Sequence, residues 1–264
     1  RNPFVIDKTQ DDQCLILTLM SMAEEIIYRV KDIGPKKHDD IQKEIDKIDV
    51  VNLGIGLPPG HFDKFAKKTV DYYRQRTEDG LSFSYSGYAF NFIIDKISIF
   101  PQDFIAVYKN PKSNINKKYR KYYIIGIGGG TVDIIPIVNN KPDATKCISL
   151  ELGTRLMYQR AIGDVQRETG RLIAESSVED VLRGNEHILK QDVVEIIERC
   201  AEEWTKNIIR ECRQVGVETQ EYPVVFFGGG CALLKKYIVQ TEDLVKYEII
   251  DDVNANAVYY AACL

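Results

Sequence analysis

The sequence has little of what builds metal centres, disulfide frameworks or membrane spans. Its three histidines, His38, His61 and His187, lie far apart, with no H-x-x-x-H pair and no cysteine at ligand spacing, so a tetrahedral zinc site has no sequence basis. The six cysteines, Cys14, Cys147, Cys200, Cys212, Cys231 and Cys263, include no C-x-x-C pair. They sit in a chain of 264 residues, far larger than a disulfide-stapled secreted module, and read as reduced thiols. No apolar run approaches the ~18 residues of a membrane span; the best stretch, Leu15 to Ala23, is broken by Thr18 and Ser21. No signal-peptide pattern is present, and the expected location is cytoplasmic, away from membranes. Surplus positive charge is also missing. Lys and Arg number 35 against 39 Asp and Glu, a net charge of −4, which leaves no basic face for a phosphate backbone. Direct nucleic-acid binding is not expected.

What is present suffices for a large α/β core, because 44% of residues are apolar and 28% charged, close to the globular average. From Asp11 to Lys31 apolar residues recur every three or four positions, which predicts a helix capped by Asp11 or Asp12 and ended near Gly34-Pro35. The charged stretch from Lys36 to Asp46 reads as a solvated loop, and 48–55 as a buried strand stopping at Gly56-Leu57-Pro58-Pro59-Gly60. A helix over 61–75 and a hairpin around Gly87 follow, the second strand closing at Pro101. Segments 122–127, 131–138 and 222–227 read as strands. Segments 156–174, 191–215, 232–239 and 254–264 read as helices, the second carrying Val194, Ile197, Ala201, Trp204 and Ile208 on one face. Trp204 and Tyr222 are expected to be packing residues.

Two of the strands run into three consecutive glycines, Gly128-Gly129-Gly130 and Gly228-Gly229-Gly230. Residues without Cβ let backbone amides approach and cradle phosphate oxygens, so the ligand indicated is a nucleotide. The dinucleotide fingerprint G-x-G-x-x-G opening a helix is not met, since Gly126-x-Gly128 leads into the β-branched run after Thr131; the P-loop pattern is absent. The first turn therefore joins strand to strand, while the second opens a helix whose N-terminus favours anions. The two are expected to face each other across a cleft between lobes.

Residues 123–133, with IIGIGGGTVD, resemble the second phosphate motif of the actin, heat-shock-chaperone and sugar-kinase ATPases, and 224–234, VVFFGGGCALL, resembles their adenosine motif. Within that superfamily, Thr18-Leu19, Gly56-Leu57-Pro58-Pro59 and Phe100-Pro101-Gln102 resemble, in order and spacing, the ParM/StbA-type actin-like plasmid-segregation proteins. The resemblance implies an α/β, two-lobed actin-like ATPase fold with ribonuclease-H-like sheets. Domain I would hold 1–122, with 253–264 returning to it, and domain II 123–252. It implies ATP or GTP with Mg2+ as cofactor. Gly128, Gly129, Gly130 and Thr131 would hold the β- and γ-phosphates, and Asp133 would position magnesium-bound water. Gln102 would orient the attacking water; a neutral amide aligns water without deprotonating it strongly, so hydrolysis would be slow. Gly228, Gly229 and Gly230 would contact adenosine and ribose, with Gly153 near the nucleoside. It further implies self-assembly into filaments and a separate DNA-binding adaptor protein as partner.

Two departures bear on turnover. The family places an aspartate where this chain has Gly126, and glycine supplies no ligand, so the resemblance carries nucleotide binding further than hydrolysis. The family's first phosphate hairpin is expected to precede Arg1. The alternatives are a degenerate nucleotide-sensing member, or a small-molecule kinase or chaperone-type ATPase of the same superfamily.

Overall fold

The computed structural model describes residues 7, 9, 12–34, 37–110, 113–250 and 254–264; the expected cap at Asp11, the opening Arg1–Phe4, Pro35 and Val253 lie outside them. Packing divides the chain into two units. The first comprises Arg1–Leu57, Phe62–Phe100 and Tyr260–Leu264; the second comprises Pro58–His61 and Pro101–Tyr259.

In the first unit, helix α1 (Gln13–Ile33) buries Ala23, Ile27 and Val30. The stretch expected to be a solvated loop instead forms helix α2 (His38–Ile45). Its charges surround a narrow apolar stripe: Ile41 and Ile45, one turn apart, are buried against Tyr88, Phe90 and Phe92. Asp39 and Asp40 stand in its first turn, where negative charge suits the helix dipole. Strand β1 (Val50–Leu57) precedes helix α3 (Phe62–Thr77), whose Tyr73 hydroxyl lies 2.8 Å from the Thr18 hydroxyl on α1. Strands β2 (Leu81–Tyr85) and β3 (Tyr88–Pro101) form the expected hairpin, and the sheet order is β1-β3-β2. Its two-residue turn puts both Ser86 and Gly87 at positive φ, 51° and 83°, matching the twist of the flanking strands.

The second unit opens with two short helices, α4 (Phe104–Lys109) and α5 (Ile115–Lys118). Its sheet contains β4 (Lys121–Ile127), β5 (Val132–Val138), β6 (Lys141–Pro142), β7 (Ile148–Leu150), β8 (Val224–Phe227) and β9 (Tyr247–Ile250). The order is β6-β5-β4-β8-β9, with β7 also on β5; β4 is antiparallel to β5 and parallel to β8, which is parallel to β9. Helices cover both faces. Tyr123, Ile125 and Ile127 of β4 pack against α6 (Thr154–Thr169), α7 (Glu175–Arg183), α8 (Gln191–Gln214) and α9 (Gly229–Val239). Tyr122 and Ile124 face the opposite core, with α4, α5 and α10 (Ala255–Ala261). A strand buried on both faces reads as an unbroken apolar run.

Three details differ from the sequence reading. The helix expected over 156–174 ends at Thr169, because Gly170 adopts a left-handed cap with φ 72°, and α7 starts afresh. On α8 the buried face begins at Val193, with Val194 half-buried. The packing break lies between Phe100 and Pro101, before the boundary expected after Tyr122. Residues of 101–122 are held by the second sheet: Ala106, Val107 and Ile115 share a core with Tyr122 and Ile135, and the Glu248 carboxylate on β9 accepts hydrogen bonds from the Asn114 and Ile115 amides and the Ser113 hydroxyl.

Candidate functional site

Strands β4 and β8 are parallel neighbours in register Gly126↔Phe227, so both glycine turns leave the sheet at the same edge. They stand side by side within the second unit, and the expectation that they oppose each other across a cleft between lobes is corrected. Their contact is close: a Cβ on Gly230 would lie 2.4 Å from Ile127 Cγ2 and 2.8 Å from its carbonyl, and one on Gly228 would lie 2.9 Å from the same carbonyl. Gly228 also has φ 98°. Open sheets bind ligands beyond the carboxyl ends of such strands.

The first turn is braced from behind. Three amides at the start of α6 donate to its carbonyls: Gly153 to Gly130 at 3.2 Å, Thr154 to Gly128 at 3.0 Å and Arg155 to Gly129 at 3.0 Å. Helix ends leave such amides without intrahelical acceptors, and the turn supplies them. With its carbonyls committed to α6, the turn keeps the Gly129 and Gly130 amides free of protein acceptors among the described residues. Gly153 is the close-approach point, since a Cβ there would lie 2.4 Å from the Gly129 carbonyl oxygen. Its place is behind the turn, as a support. The first amides of α9, at Gly229 and Gly230, add a positive dipole end to the same edge.

Asp133 pairs with Gly126 across the β4–β5 ladder and is buried. Its carboxylate accepts from the Thr131 hydroxyl at 3.0 Å and the Ser149 hydroxyl at 2.5 Å. The motif names Thr131 and Asp133 from the sequence but not Ser149, which reaches Asp133 from β7 only through tertiary pairing. It also missed Asp103. This residue, next to Gln102 in the turn from β3 to α4, is buried, has φ 66°, and accepts from the Asn256 side-chain amide on α10 at 2.8 Å. Its Oδ2 lies 1.7 Å from where a Cβ on Gly126 would stand. Burial pushes its carboxyl up to about 7; the Asn256 hydrogen bond opposes that shift and the Asp133 charge adds to it. Gln102 itself is half-buried, with its carbonyl accepting from the Phe104 amide at 2.7 Å. Cys231 at the start of α9 donates to the Phe227 carbonyl at 2.8 Å, and burial pushes its thiol far up, so it is an inert packing group.

No group of three or more His, Cys, Asp or Glu side chains among the described residues could cage a metal by itself. Asp133 with the Thr131 hydroxyl, and Asp103 beside Gly126, nonetheless form an all-oxygen donor set next to free backbone amides. That chemistry fits Mg2+, which is commonly held by one or two carboxylates together with substrate phosphates. Among the described residues no helix is long and apolar enough to cross a membrane.

Residues 124–240 match the family model for the C-terminal domain of archaeal MreB-like actin homologues. Among solved structures, the chain is similar to an archaeal actin homologue, with 21% identity, TM-score 0.63, and coverage of 86% of this chain and 75% of that one. It is similar to a non-polymerisable quadruple mutant of pCBH ParM, with 19% identity, TM-score 0.63, and coverage of 80% and 67%. It is also similar to Bacillus thuringiensis ParM with AMPPNP, with 11% identity, TM-score 0.61, and coverage of 97% and 74%. No curated protein sequence matches significantly.

Proposed function

The chain is an actin-like protein by fold, and on that premise we propose that it binds ATP or GTP with Mg2+ at the paired glycine turns and polymerises into filaments. The observation that carries the reading is the shared sheet edge. There the Gly129 and Gly130 amides and the first amides of α9 stand at the ends of the paired strands β4 and β8, and Asp133 lies in β5 just past the first turn. Amides without protein acceptors suit phosphate oxygens, and the carboxylate suits the cation that accompanies them. The solved archaeal actin homologue with ADP and the ParM with AMPPNP support the choice of nucleotide.

In this reading Gly128, Gly129, Gly130 and Thr131 contact the β- and γ-phosphates and Gly228, Gly229 and Gly230 contact the nucleoside side. Asp133, fixed by Thr131 and Ser149, would hold Mg2+ and its water. Bound Mg2+ supplies charge neutralisation on the phosphates. Gln102 orients water without deprotonating it, which makes hydrolysis slow. Nucleotide binding creates the surfaces that take up the next subunit head to tail, a heterologous contact that gives open polymers. The filament segregates plasmid or similar DNA through a DNA-binding adaptor, in keeping with a chain of net charge −4. The test is light scattering and pelleting with ATP, GTP or a slowly hydrolysed analogue. Nucleotide-dependent polymer is expected, and its absence at tens of micromolar protein would overturn the filament reading.

A further inference from the structure

The site contains a glycine whose side-chain space is already taken. Gly126 faces the same side of the sheet as its ladder partner Asp133, and Asp103 Oδ2 stands 1.7 Å, and its Cγ 2.8 Å, from the position of a Cβ on that glycine. Real Cβ atoms do not come so close to anything, so position 126 can carry a side chain only if the Asp103 carboxylate moves away. Asp103 is in turn held in place. The Asn256 side-chain amide donates to its Oδ1, and its own backbone amide donates to Asn256 Oδ1 at 3.0 Å. Its φ of 66° is one that an ordinary side chain seldom adopts. Among the described residues its partner is the neutral Asn256 amide and no Lys, Arg or His charge acts on it, although it is buried beside a second buried carboxylate, Asp133. A buried carboxylate in that setting is costly unless a cation joins it.

We propose that Asp103 and Gly126 form one reciprocal unit, in which the turn before α4 delivers a carboxylate into the place that a side chain on β4 would occupy, so that Asp103 joins Asp133 in facing the nucleotide's cation. Gly126 is then the space that admits the carboxylate, and the absence of an acid from β4 removes none from the site. The cation role rests on the nucleotide reading above, whereas the reciprocity stands on packing alone.

The experiment compares Gly126→Asp, Asp103→Gly, Asp103→Asn and the exchange Asp103→Gly/Gly126→Asp in the intact protein. Melting curves are taken without nucleotide, and ADP affinity is measured in Mg2+ and in EDTA. Gly126→Asp alone is expected to lower the melting midpoint by about 10 °C or more, through overpacking and a third buried carboxylate. The exchange should recover most of that loss, since glycine suits the positive φ at 103 and the acid returns from β4. A Gly126→Asp protein as stable as wild type, or an exchange no better than Gly126→Asp, would overturn the reciprocity. Asp103→Asn keeps the shape and is expected to cut the affinity gain from Mg2+ about tenfold, in the range of a lost charged contact, while changing affinity in EDTA little. An unchanged Mg2+ gain would overturn the cation role. Failure of wild type to bind nucleotide would remove both the site reading and the cation role, and the melting curves would still decide the exchange.

Discussion

Three residues show how one contact sets both stability and chemistry. Asp103 has its carboxyl raised from 3.8 to about 7, first by burial. Folded and unfolded chains are both protonated below pH about 4; between about 4 and 7 the unfolded chain loses its proton first, so stability falls as pH rises through that window. Asp103→Asn removes this penalty. Without nucleotide or metal, the variant should melt higher than wild type at pH 8, by about 2–4 kcal/mol of stability, with the gap closing toward pH 4 in parallel thermal scans. Gly153 is constrained sterically. Gly153→Ala would drive a methyl to 2.4 Å from the Gly129 carbonyl, which should cost about 1–3 kcal/mol by denaturant unfolding and weaken nucleotide binding by displacing the turn. Ser149 acts through Asp133. Ser149→Ala should cost about 1 kcal/mol and leave the carboxylate less firmly oriented.

Among the elements, α2 is the one that composition concealed. Of the eleven residues from Lys36 to Asp46, seven are Lys, Asp or Glu and one is His, yet Ile41 and Ile45 anchor the helix at 2% and 3% exposure. Ile41→Ala should cost about 2–4 kcal/mol in chemical denaturation, whereas a true solvated loop would lose almost nothing. The same lesson applies to 101–122, which contains little regular periodicity. Two helices too short for a moment to register are fixed to the second sheet by Ala106, Val107 and Ile115 and by the Glu248 carboxylate. The long strands and helices were legible from neighbouring residues: 122–127 and 222–227 are unbroken apolar runs, and 191–215 keeps a helical stripe over several turns. The candidate site was legible where its residues are contiguous, as in Gly128 to Thr131 and Asp133. It was illegible at Asp103 and Ser149, whose roles depend on partners far along the chain.

For the whole molecule, charge and ligand linkage give a further expectation. A chain of net charge −4 should leave duplex DNA unshifted in a gel at physiological salt, because counterion release needs a cluster of cations. Ligand that binds only the folded state raises stability by about 2.7 kcal/mol at a hundredfold excess over Kd. Saturating Mg-ATP or Mg-GTP should therefore raise the melting midpoint by several degrees, and differential scanning with each nucleotide would show which is preferred.

Local order alone determined that this chain makes α/β layers with two glycine-tipped strands, because strand and helix periods and backbone freedom are properties of neighbouring residues. Only tertiary structure decided that the two tips share a sheet edge, through the parallel pairing of β4 with β8, and that Asp103 fills the space left open at Gly126. Strand partnership and the filling of a vacant side-chain position are set by segments distant in sequence, which no local pattern encodes.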